Sequence, residues 1–251
     1  GELALDGSIR PVRGALPSLI AGLKAGVKRA IVPRGNQSEA ELLEDIEILA
    51  FDHLSEIYRW LTTGDYDFPE ADAYQEEVSE LVDFADVAGQ PRARFAAEVA
   101  ATGGHHFLLI GPPGAGKTMI ASRLPTILPP LNQEESLEVT AIHSIADGLN
   151  SRSAMSRVAP IISPHHSASR ASIVGGGGRT IVPGAISLAN RGVLFIDEAP
   201  ECAVGVLDSL RQPLESGTIT IARSIGAITF PADFLLVLAA NPCPCGKYSG
   251  R

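Results

Sequence analysis

The sequence lacks any apolar run long enough to cross a membrane, and it has few cysteines. A spanning helix needs about 20 consecutive apolar residues, and no stretch of this chain approaches that length. Cysteine occurs at three positions, a small and odd number that favours a reducing compartment over a disulfide framework. The start, Gly1-Glu2-Leu3, also lacks an initiator methionine and a signal-peptide pattern. We therefore expect a piece of a longer cytoplasmic protein that has no contact with a membrane.

Basic residues are absent from one acidic stretch. The formal net charge is −9, and nine acids lie between Thr63 and Asp86 without a Lys or Arg among them. Outside this stretch acids and bases balance, so the net charge does not exclude nucleic acid as a partner. Like charges repel and keep a chain extended. We interpret residues 63–85 as an acidic linker between a domain at 1–62 and a domain at 86–251.

The segment Gly111 to Thr118 reads GPPGAGKT and fits the phosphate-binding pattern G-x-x-x-x-G-K-[ST] at each fixed position. The apolar run Phe107-Leu108-Leu109-Ile110 before it predicts a strand, and the residues after it predict a helix. Lys117 is expected to reach the β- and γ-phosphates of ATP, and Thr118 to hold Mg²⁺. A glycine-rich turn before an ordinary helix is the disfavoured alternative. The predicted nucleotide contacts are Gly111, Pro112, Pro113, Gly114, Ala115, Gly116, Lys117, Thr118 and Met119.

Two further predicted strands end in polar residues suited to phosphate chemistry. Asp197 and Glu198 follow the apolar run 193–196, and Asn241 follows the apolar run 234–240. Ligands of open α/β sheets bind at the carboxyl ends of the strands. We assign Asp197 to Mg²⁺, Glu198 to the attacking water, and Asn241 to that water or the γ-phosphate. Each of these residues could instead cap its strand. The predicted catalytic residues are Glu198, Lys117 and Asn241.

The first 62 residues read as a small α/β unit that resembles half of the proteolytic domain of Lon-type proteases. The resemblance lies in Gly1-Glu2-Leu3, Asp6-Gly7, Arg10-Pro11-Val12 and the run from Ala25 to Pro33. Aligned with that family, Leu16 and Ser18 stand where lysines occur, so the base of a Ser-Lys dyad is missing. The resemblance therefore implies a structural or assembly role rather than peptidase activity.

The rest of the chain resembles the ComM/YifB group of magnesium-chelatase-like AAA+ proteins. Besides the phosphate-binding loop, Asp197-Glu198 and Asn241, the resemblance lies in Asp86-Val87-Ala88-Gly89-Gln90 before Pro91, a long stretch before Val193, and Asn241-Pro242-Cys243-Pro244-Cys245-Gly246. The long stretch, which starts with a predicted helix from Asn132 to about Ala146, corresponds to the helix-2 insert of that clade. Residues 217–230 predict a β-hairpin with its turn at 223–226, which corresponds to the pre-sensor hairpin. The resemblance also implies that Gln90 contacts the nucleotide.

This resemblance implies an α/β fold, a P-loop AAA+ domain with a parallel sheet flanked by helices. The domain carries the helix-2 insert and the pre-sensor β-hairpin, and it follows the partial Lon-protease-like α/β domain. The resemblance implies an ATPase that uses ATP and Mg²⁺ and assembles as a homo-hexameric ring. The implied role is a DNA helicase that drives branch migration on single-stranded or branched DNA in recombination or natural transformation. A finger Arg and a second sensor Arg are then expected beyond Arg251. A magnesium-chelatase-like ATPase and a protein-remodelling ATPase stay open as alternatives.

Three smaller features complete the candidate sites. Arg223 at the hairpin turn is the candidate DNA contact, and pairing with a surface carboxylate is its alternative role. Neighbouring side chains such as His165 and His166 do not converge on one metal ion, so we predict a loop contact that positions the insert. Cys243 and Cys245 could supply half of a four-cysteine zinc site, and without the other half we expect two reduced thiols. Zinc is expected there only if further Cys ligands follow residue 251.

Overall fold

The computed structural model of the chain describes residues 1–66, 82–147, 157–177, 180–223 and 226–243. Two compact units make up the chain. The amino-terminal unit comprises Gly1–Glu77 and Ser136–Ser156, and the second unit comprises Val78–Glu135 and Arg157–Arg251. Most of the predicted acidic linker lies outside the described residues. In the part of the chain that is described, no helix is long and apolar enough to cross a membrane.

The amino-terminal unit is a small α/β structure built on two parallel strands. Its elements are β1 (Glu2–Leu3), β2 (Ile9–Arg10), α1 (Ala15–Lys24), β3 (Arg29–Pro33), α2 (Gln37–Ala40), β4 (Glu47–Phe51) and α3 (Leu54–Thr63). Strand β3 pairs with β4 from Arg29↔Glu47 to Pro33↔Phe51. β-branched and aromatic side chains favour this pleated conformation, and Val32 and Phe51 are buried in it. The two strands and the flanking helices agree with the small α/β unit predicted for the first 62 residues.

Leu16 lies at the centre of the core of the amino-terminal unit and is fully buried. It packs in one cluster with Leu43, Ile46 and Ala141. The side chain of Ser18 instead bonds back to the carbonyl oxygen of Gly14 at 2.9 Å. The two positions that carry lysines in Lon-type proteases therefore serve packing and helix structure in this chain.

Ala141 comes from α6 (Gln133–Asp147), which begins with a capping box at the predicted position. The side chain of Asn132 accepts the N–H of Glu135 at 2.9 Å, and Glu135 accepts the N–H of Asn132 at 3.0 Å. From Ser136 onward α6 belongs to the amino-terminal unit. There Ser144 donates to Glu39 at 2.6 Å.

The second unit contains a four-stranded parallel sheet. Its order is β5 (Phe107–Ile110), β12 (Leu235–Ala240), β9 (Val193–Ile196) and β6 (Ile161–Ile162), and all three pairs are parallel. The central strand residues Val193, Phe195 and Val237 are buried among helix side chains such as Ile120. The remaining elements are α4 (Pro91–Gly103), α5 (Lys117–Arg123), α7 (Arg170–Val174), β7 (Gly175–Gly176), β8 (Val182–Pro183), α8 (Ala185–Leu188), α9 (Val204–Asp208), α10 (Arg211–Ser216), β10 (Thr218–Arg223) and β11 (Gly226–Pro231).

The parallel arrangement places the ends of three predicted strands at one edge. Strands β5, β9 and β12 run in the same direction, so the residues after Ile110, Ile196 and Ala240 meet at the carboxyl edge of the sheet. The backbone N–H of Gly111 donates to the carbonyl of Ala240 at 3.2 Å and extends this pairing into the loop. The predicted parallel α/β sheet is confirmed, with β5 and β9 at their predicted bounds.

Strands β10 and β11 form the predicted hairpin and pair antiparallel up to Arg223↔Gly226. The hairpin packs on the glycine-rich β7. A Cβ built on Gly175 would lie 2.8 Å from the backbone nitrogen of Gly184, and one built on Gly176 would lie 2.7 Å from Nη2 of Arg223. Gly175 also has φ of +103°, which disfavours any side chain. Glycine at these positions lets the hairpin and the insert approach closely.

Candidate nucleotide-binding site

The phosphate-binding loop connects β5 to α5 and bends at glycines in the left-handed region. Gly114 has φ of +76° and Gly116 has φ of +81°, conformations that residues with a Cβ rarely adopt. Gly116 precedes α5, which starts at Lys117, and no side chain caps this helix. Backbone N–H groups in such a loop can face an anion. Pro112 and Pro113 are exposed on the loop, whereas Met119 is partly buried against the core of the unit.

Lys117 and Asn241 meet across the sheet edge although they lie 124 positions apart. The ammonium Nζ of Lys117 donates to the carbonyl oxygen of Gly111 at 2.8 Å, to that of Pro112 at 3.1 Å, and to Oδ1 of Asn241 at 3.0 Å. An ammonium has three donors, and these three oxygens accept from all of them. The structure thus holds the lysine charge at the mouth of the loop.

Thr118 and Asp197 form a second pair at the same edge. Oγ1 of Thr118 donates to Oδ2 of Asp197 at 2.8 Å, and Oδ1 of Asp197 accepts the backbone N–H of Glu198 at 2.8 Å. A hydroxyl next to a carboxylate is a hard oxygen donor set that fits Mg²⁺, which keeps several water molecules and binds few protein groups. No group of three or more His, Cys, Asp and Glu side chains able to hold a metal occurs among the described residues. The pair by itself would supply two oxygen ligands to a magnesium ion.

Glu198 lies two residues after the end of β9, in a strained backbone conformation. Its φ is +50°, a region that non-glycine residues adopt at a cost and mostly at functional sites. One carboxylate oxygen, Oε2, lies 3.0 Å from Nδ1 of His166. This contact between Glu198 and His166 was not predicted from the sequence, which indicated a loop contact for the histidine pair without a partner.

Gln90 comes before the phosphate-binding loop in the sequence and contacts this loop directly. Its Nε2 donates to the carbonyl oxygen of Ala115 at 3.1 Å. The residue has φ of +51° and immediately precedes Pro91, the first residue of α4. Proline is well suited to the first turn of a helix. The structure thus brings Gln90 to the loop, and its predicted contact with the nucleotide stays a prediction.

Comparisons with known proteins assign the chain to a family. Residues 83–251 match the family described as magnesium chelatase, subunit ChlI, and residues 1–36 match the family described as subunit ChlI of Mg-chelatase. The chain belongs to the magnesium-chelatase family. The predicted resemblance to the ComM/YifB group of magnesium-chelatase-like AAA+ proteins is confirmed, and this family implies an AAA+ ATPase that binds ATP and Mg²⁺.

Individual relatives of this magnesium-chelatase-family chain agree with the assignment. It is 45% identical to the uncharacterized protein YifB of Escherichia coli over 253 residues, which cover 100% of the chain and 49% of YifB. It is 42% identical to the competence protein ComM of Haemophilus influenzae, covering 99% of the chain and 49% of ComM. The chain therefore spans about half the length of these curated relatives.

A solved structure shares the fold of the magnesium-chelatase-family chain. It is the complex between subunits BchI and BchD of magnesium chelatase, with a TM-score of 0.50 and 25% identity. The match covers 64% of this chain and 55% of the chain in that complex. The predicted AAA+ fold with its insert and hairpin, following a partial Lon-protease-like domain, is confirmed.

Arg223, the candidate DNA contact of this family member, is exposed at the end of β10. Its guanidinium lies against Gly176 of β7. Among the residues that the structure describes, no carboxylate lies within 4.0 Å of its side-chain nitrogens. The hairpin turn between Arg223 and Gly226 lies outside the described residues.

The cysteines do not form a zinc site in the described part of the chain. Cys202 is a free, buried thiol, and burial raises its pKa. Cys243 is disulfide-bonded, so the expectation of reduced cysteines holds for Cys202 and is wrong for Cys243. Cys245 and the residues after it lie outside the described residues, and the zinc prediction for this pair lies there with them.

Proposed function

We propose that the protein containing this chain is an ATP-hydrolysing ring motor that acts on DNA. The observation that carries the ATPase part is the meeting of two pairs at one sheet edge, Lys117 with Asn241 and Thr118 with Asp197. Together they supply a cation for the phosphates, an amide, a hydroxyl and a metal-side carboxylate. These are the groups that phosphoryl transfer needs, because its catalysis is mainly positioning and charge stabilisation.

In the proposed reaction each residue has a separate task. Lys117 would bind the β- and γ-phosphates, and Thr118 and Asp197 would hold Mg²⁺, which when bound would offset negative charge on the phosphate oxygens. Glu198 takes the proton of the attacking water, the water oxygen bonds to the γ-phosphorus, and the bond to the bridging oxygen breaks. Asn241 orients the water or the γ-phosphate. Gln90, Met119 and the loop residues Gly111 to Gly116 complete the nucleotide contacts.

DNA is the proposed substrate because of the hairpin and the family. The competence protein ComM is a relative over nearly the whole chain, and Arg223 stands at the end of a hairpin strand without a carboxylate partner in the described residues. A free guanidinium binds phosphate through short charge-assisted bonds. In a homo-hexamer such a contact would be repeated in each subunit, which strengthens binding without any new contact type.

The full proposal is a cytoplasmic helicase or translocase that drives branch migration during recombination or natural transformation. Its domains are proposed as 1–62, a linker at 63–85, and an ATPase domain from 86. A magnesium-chelatase-like ATPase is the second candidate, because the solved structure that matches is a complex of two magnesium chelatase subunits. In that candidate the ATPase acts on a partner protein rather than on DNA. A protein-remodelling ATPase is the third candidate, supported by the Lon-like half-domain.

The test compares two arginine variants of the full-length protein. Arg223→Ala removes the hairpin cation, and Arg211→Ala removes another exposed arginine, one that pairs with Asp208 at 3.2 Å. We expect Arg223→Ala to keep basal ATP hydrolysis, to weaken single-strand binding, and to reduce the salt slope by about one unit per lost contact. Arg211→Ala should bind DNA like the parent protein.

Each other outcome identifies a different error. Equal DNA binding by Arg223→Ala and the parent at several salt concentrations would show that the hairpin is not the contact. Absence of both DNA binding and DNA-stimulated hydrolysis in the parent would reject the DNA motor and favour the chelatase-like or protein-remodelling candidate. Absence of any ATP hydrolysis under all conditions would reject the ATPase itself.

A further inference from the structure

Among the described residues, His166 makes the one close polar contact to the side chain of Glu198, the proposed catalytic base. Strand β6 pairs with β9 in parallel, Ile161 with Val193 and Ile162 with Leu194. Residues shortly after β6 therefore reach the same carboxyl edge as those after β9. This register brings Nδ1 of His166 to 3.0 Å from Oε2 of Glu198, 32 positions further along the chain.

The direction of this hydrogen bond follows from the chemistry of the two groups. An ionised carboxylate can only accept, so Nδ1 of His166 carries a proton and donates to Oε2. The second oxygen, Oε1, has no hydrogen-bond partner among the described residues, and it stays available for a water molecule. The histidine thus occupies one side of the carboxylate and leaves the other side for the reaction.

The His166 ring is itself held by its neighbour. The rings of His165 and His166 lie 4.0 Å apart between centroids and are tilted by 36°. Nδ1 of His165 accepts the backbone N–H of Ser167 at 3.2 Å and lies 2.7 Å from the hydroxyl of Ser167. The turn that leads into α7 therefore restrains the orientation of the His165 ring. This ring packs on the His166 ring, which in turn contacts Glu198.

Glu198 needs such a restraint. Its side chain is 46% exposed, and a glutamate side chain has several rotatable bonds whose freedom is lost when it is fixed. A catalytic group that is held before the substrate arrives needs less reorganisation in the transition state. The hydrogen bond from His166 at Oε2 restrains the end of this side chain.

We propose that His166 is a positioning residue for ATP hydrolysis and orients Glu198 toward the attacking water. This inference rests on the proposed ATPase function and deepens it. The contact between His166 and Glu198 also connects the insert to the active site, because the histidine pair lies in the insert between β6 and α7.

The experiment measures kcat, KM and ATP affinity in the full-length protein for five variants. They are His166→Ala, His166→Asn, Glu198→Gln, the double variant of His166→Ala with Glu198→Gln, and His105→Ala as a histidine control away from the contact. The asparagine amide nitrogen stands close to the position of histidine Nδ1 and can donate the same hydrogen bond. Thermal melting of each variant reports whether it is folded.

We expect His166→Ala to lower kcat by about 10- to 100-fold, as misplacement of a catalytic group does, with ATP affinity within about twofold of the parent. His166→Asn should restore most of the rate, and His105→Ala should match the parent. In the Glu198→Gln background His166→Ala should have no further effect, because it acts only through that carboxylate.

Three results overturn the inference. A kcat of His166→Ala equal to or above that of the parent, with Glu198→Gln inactive, rejects the positioning role and leaves the proposed ATPase intact. A rate loss that adds fully to that of Glu198→Gln shows a structural effect that does not pass through the carboxylate. Parent-like turnover by Glu198→Gln would instead reject the assignment of the base, and the positioning role with it.

Discussion

Replacement of Lys117 by alanine removes the cation that the structure holds at the mouth of the phosphate-binding loop. In the chain its Nζ donates to three oxygens within 3.1 Å, those of Gly111, Pro112 and Asn241. Gly111, Lys117 and Asn241 are half-buried and Pro112 is exposed, so water can replace the ammonium at each oxygen. We therefore expect the folding stability of Lys117→Ala to stay within about 1 kcal/mol of the parent.

The effect on ATP binding should be much larger. Hydrogen bonds to charged groups contribute about 1.5–3 kcal/mol each. Two such bonds from Lys117 to the β- and γ-phosphates correspond to about 3–6 kcal/mol, which is a loss of about 10²- to 10⁴-fold in affinity. Lys117→Arg should not restore binding, because the planar guanidinium is a different shape from the compact ammonium.

The assay is titration of the full-length protein with a fluorescent ATP analogue in the presence of Mg²⁺, with melting temperatures as the folding control. Lys28→Ala is the matched variant, because Lys28 is an exposed lysine of the amino-terminal unit. It should bind nucleotide like the parent. An affinity of Lys117→Ala within threefold of the parent, in a protein that melts normally, would refute the assignment of the lysine to the phosphates.

Two further predictions concern packing. Gly175→Ala places a methyl group on a residue with φ of +103°, 2.8 Å from the backbone nitrogen of Gly184, so it should destabilise the protein by about 1–3 kcal/mol. Gly205→Ala, with open space around it, should melt like the parent. Equal melting temperatures of the two variants would contradict the close packing of the insert. Burial raises the pKa of the Cys202 thiol, so alkylation of native Cys202 should be slower than in the urea-unfolded chain. The stability that the buried neutral thiol of Cys202 contributes should be constant at neutral pH and be lost as the pH rises above about 9. Cys202→Ala should lack this fall in the free energy of unfolding.

The nucleotide loop could be predicted from sequence because its signal is local. The fixed residues of the motif, the apolar run before it and the glycines occupy consecutive positions, and β5 begins and ends where the apolar run does. The same holds for β9. The hairpin was predicted at its turn because alternating β-branched residues flank it. Local patterns of this kind fix the backbone before any long-range contact forms.

Contacts that depend on strand order could not be read from the sequence. The bond between Nδ1 of His166 and Glu198 exists because β6 pairs with β9, and nothing in either segment specifies that pairing. The grouping of Ser136–Ser156 with the amino-terminal unit is likewise set by packing of Ala141 against Leu16. The signal that could have indicated β6 is the apolar pair after Pro160, which is too short to predict a strand by itself. The domain boundaries and the roles of the site residues stay predictions.

The most direct test of the account is ATP turnover by Glu198→Gln in the full-length protein, measured beside Glu201→Gln and together with ATP affinity. Glu201 is an exposed glutamate three positions further along, so its variant controls for the loss of one charge at this edge. The account predicts that Glu198→Gln binds ATP as the parent does and loses hydrolysis by about 100-fold or more, while Glu201→Gln keeps both. Parent-like hydrolysis by Glu198→Gln would contradict the account at its centre.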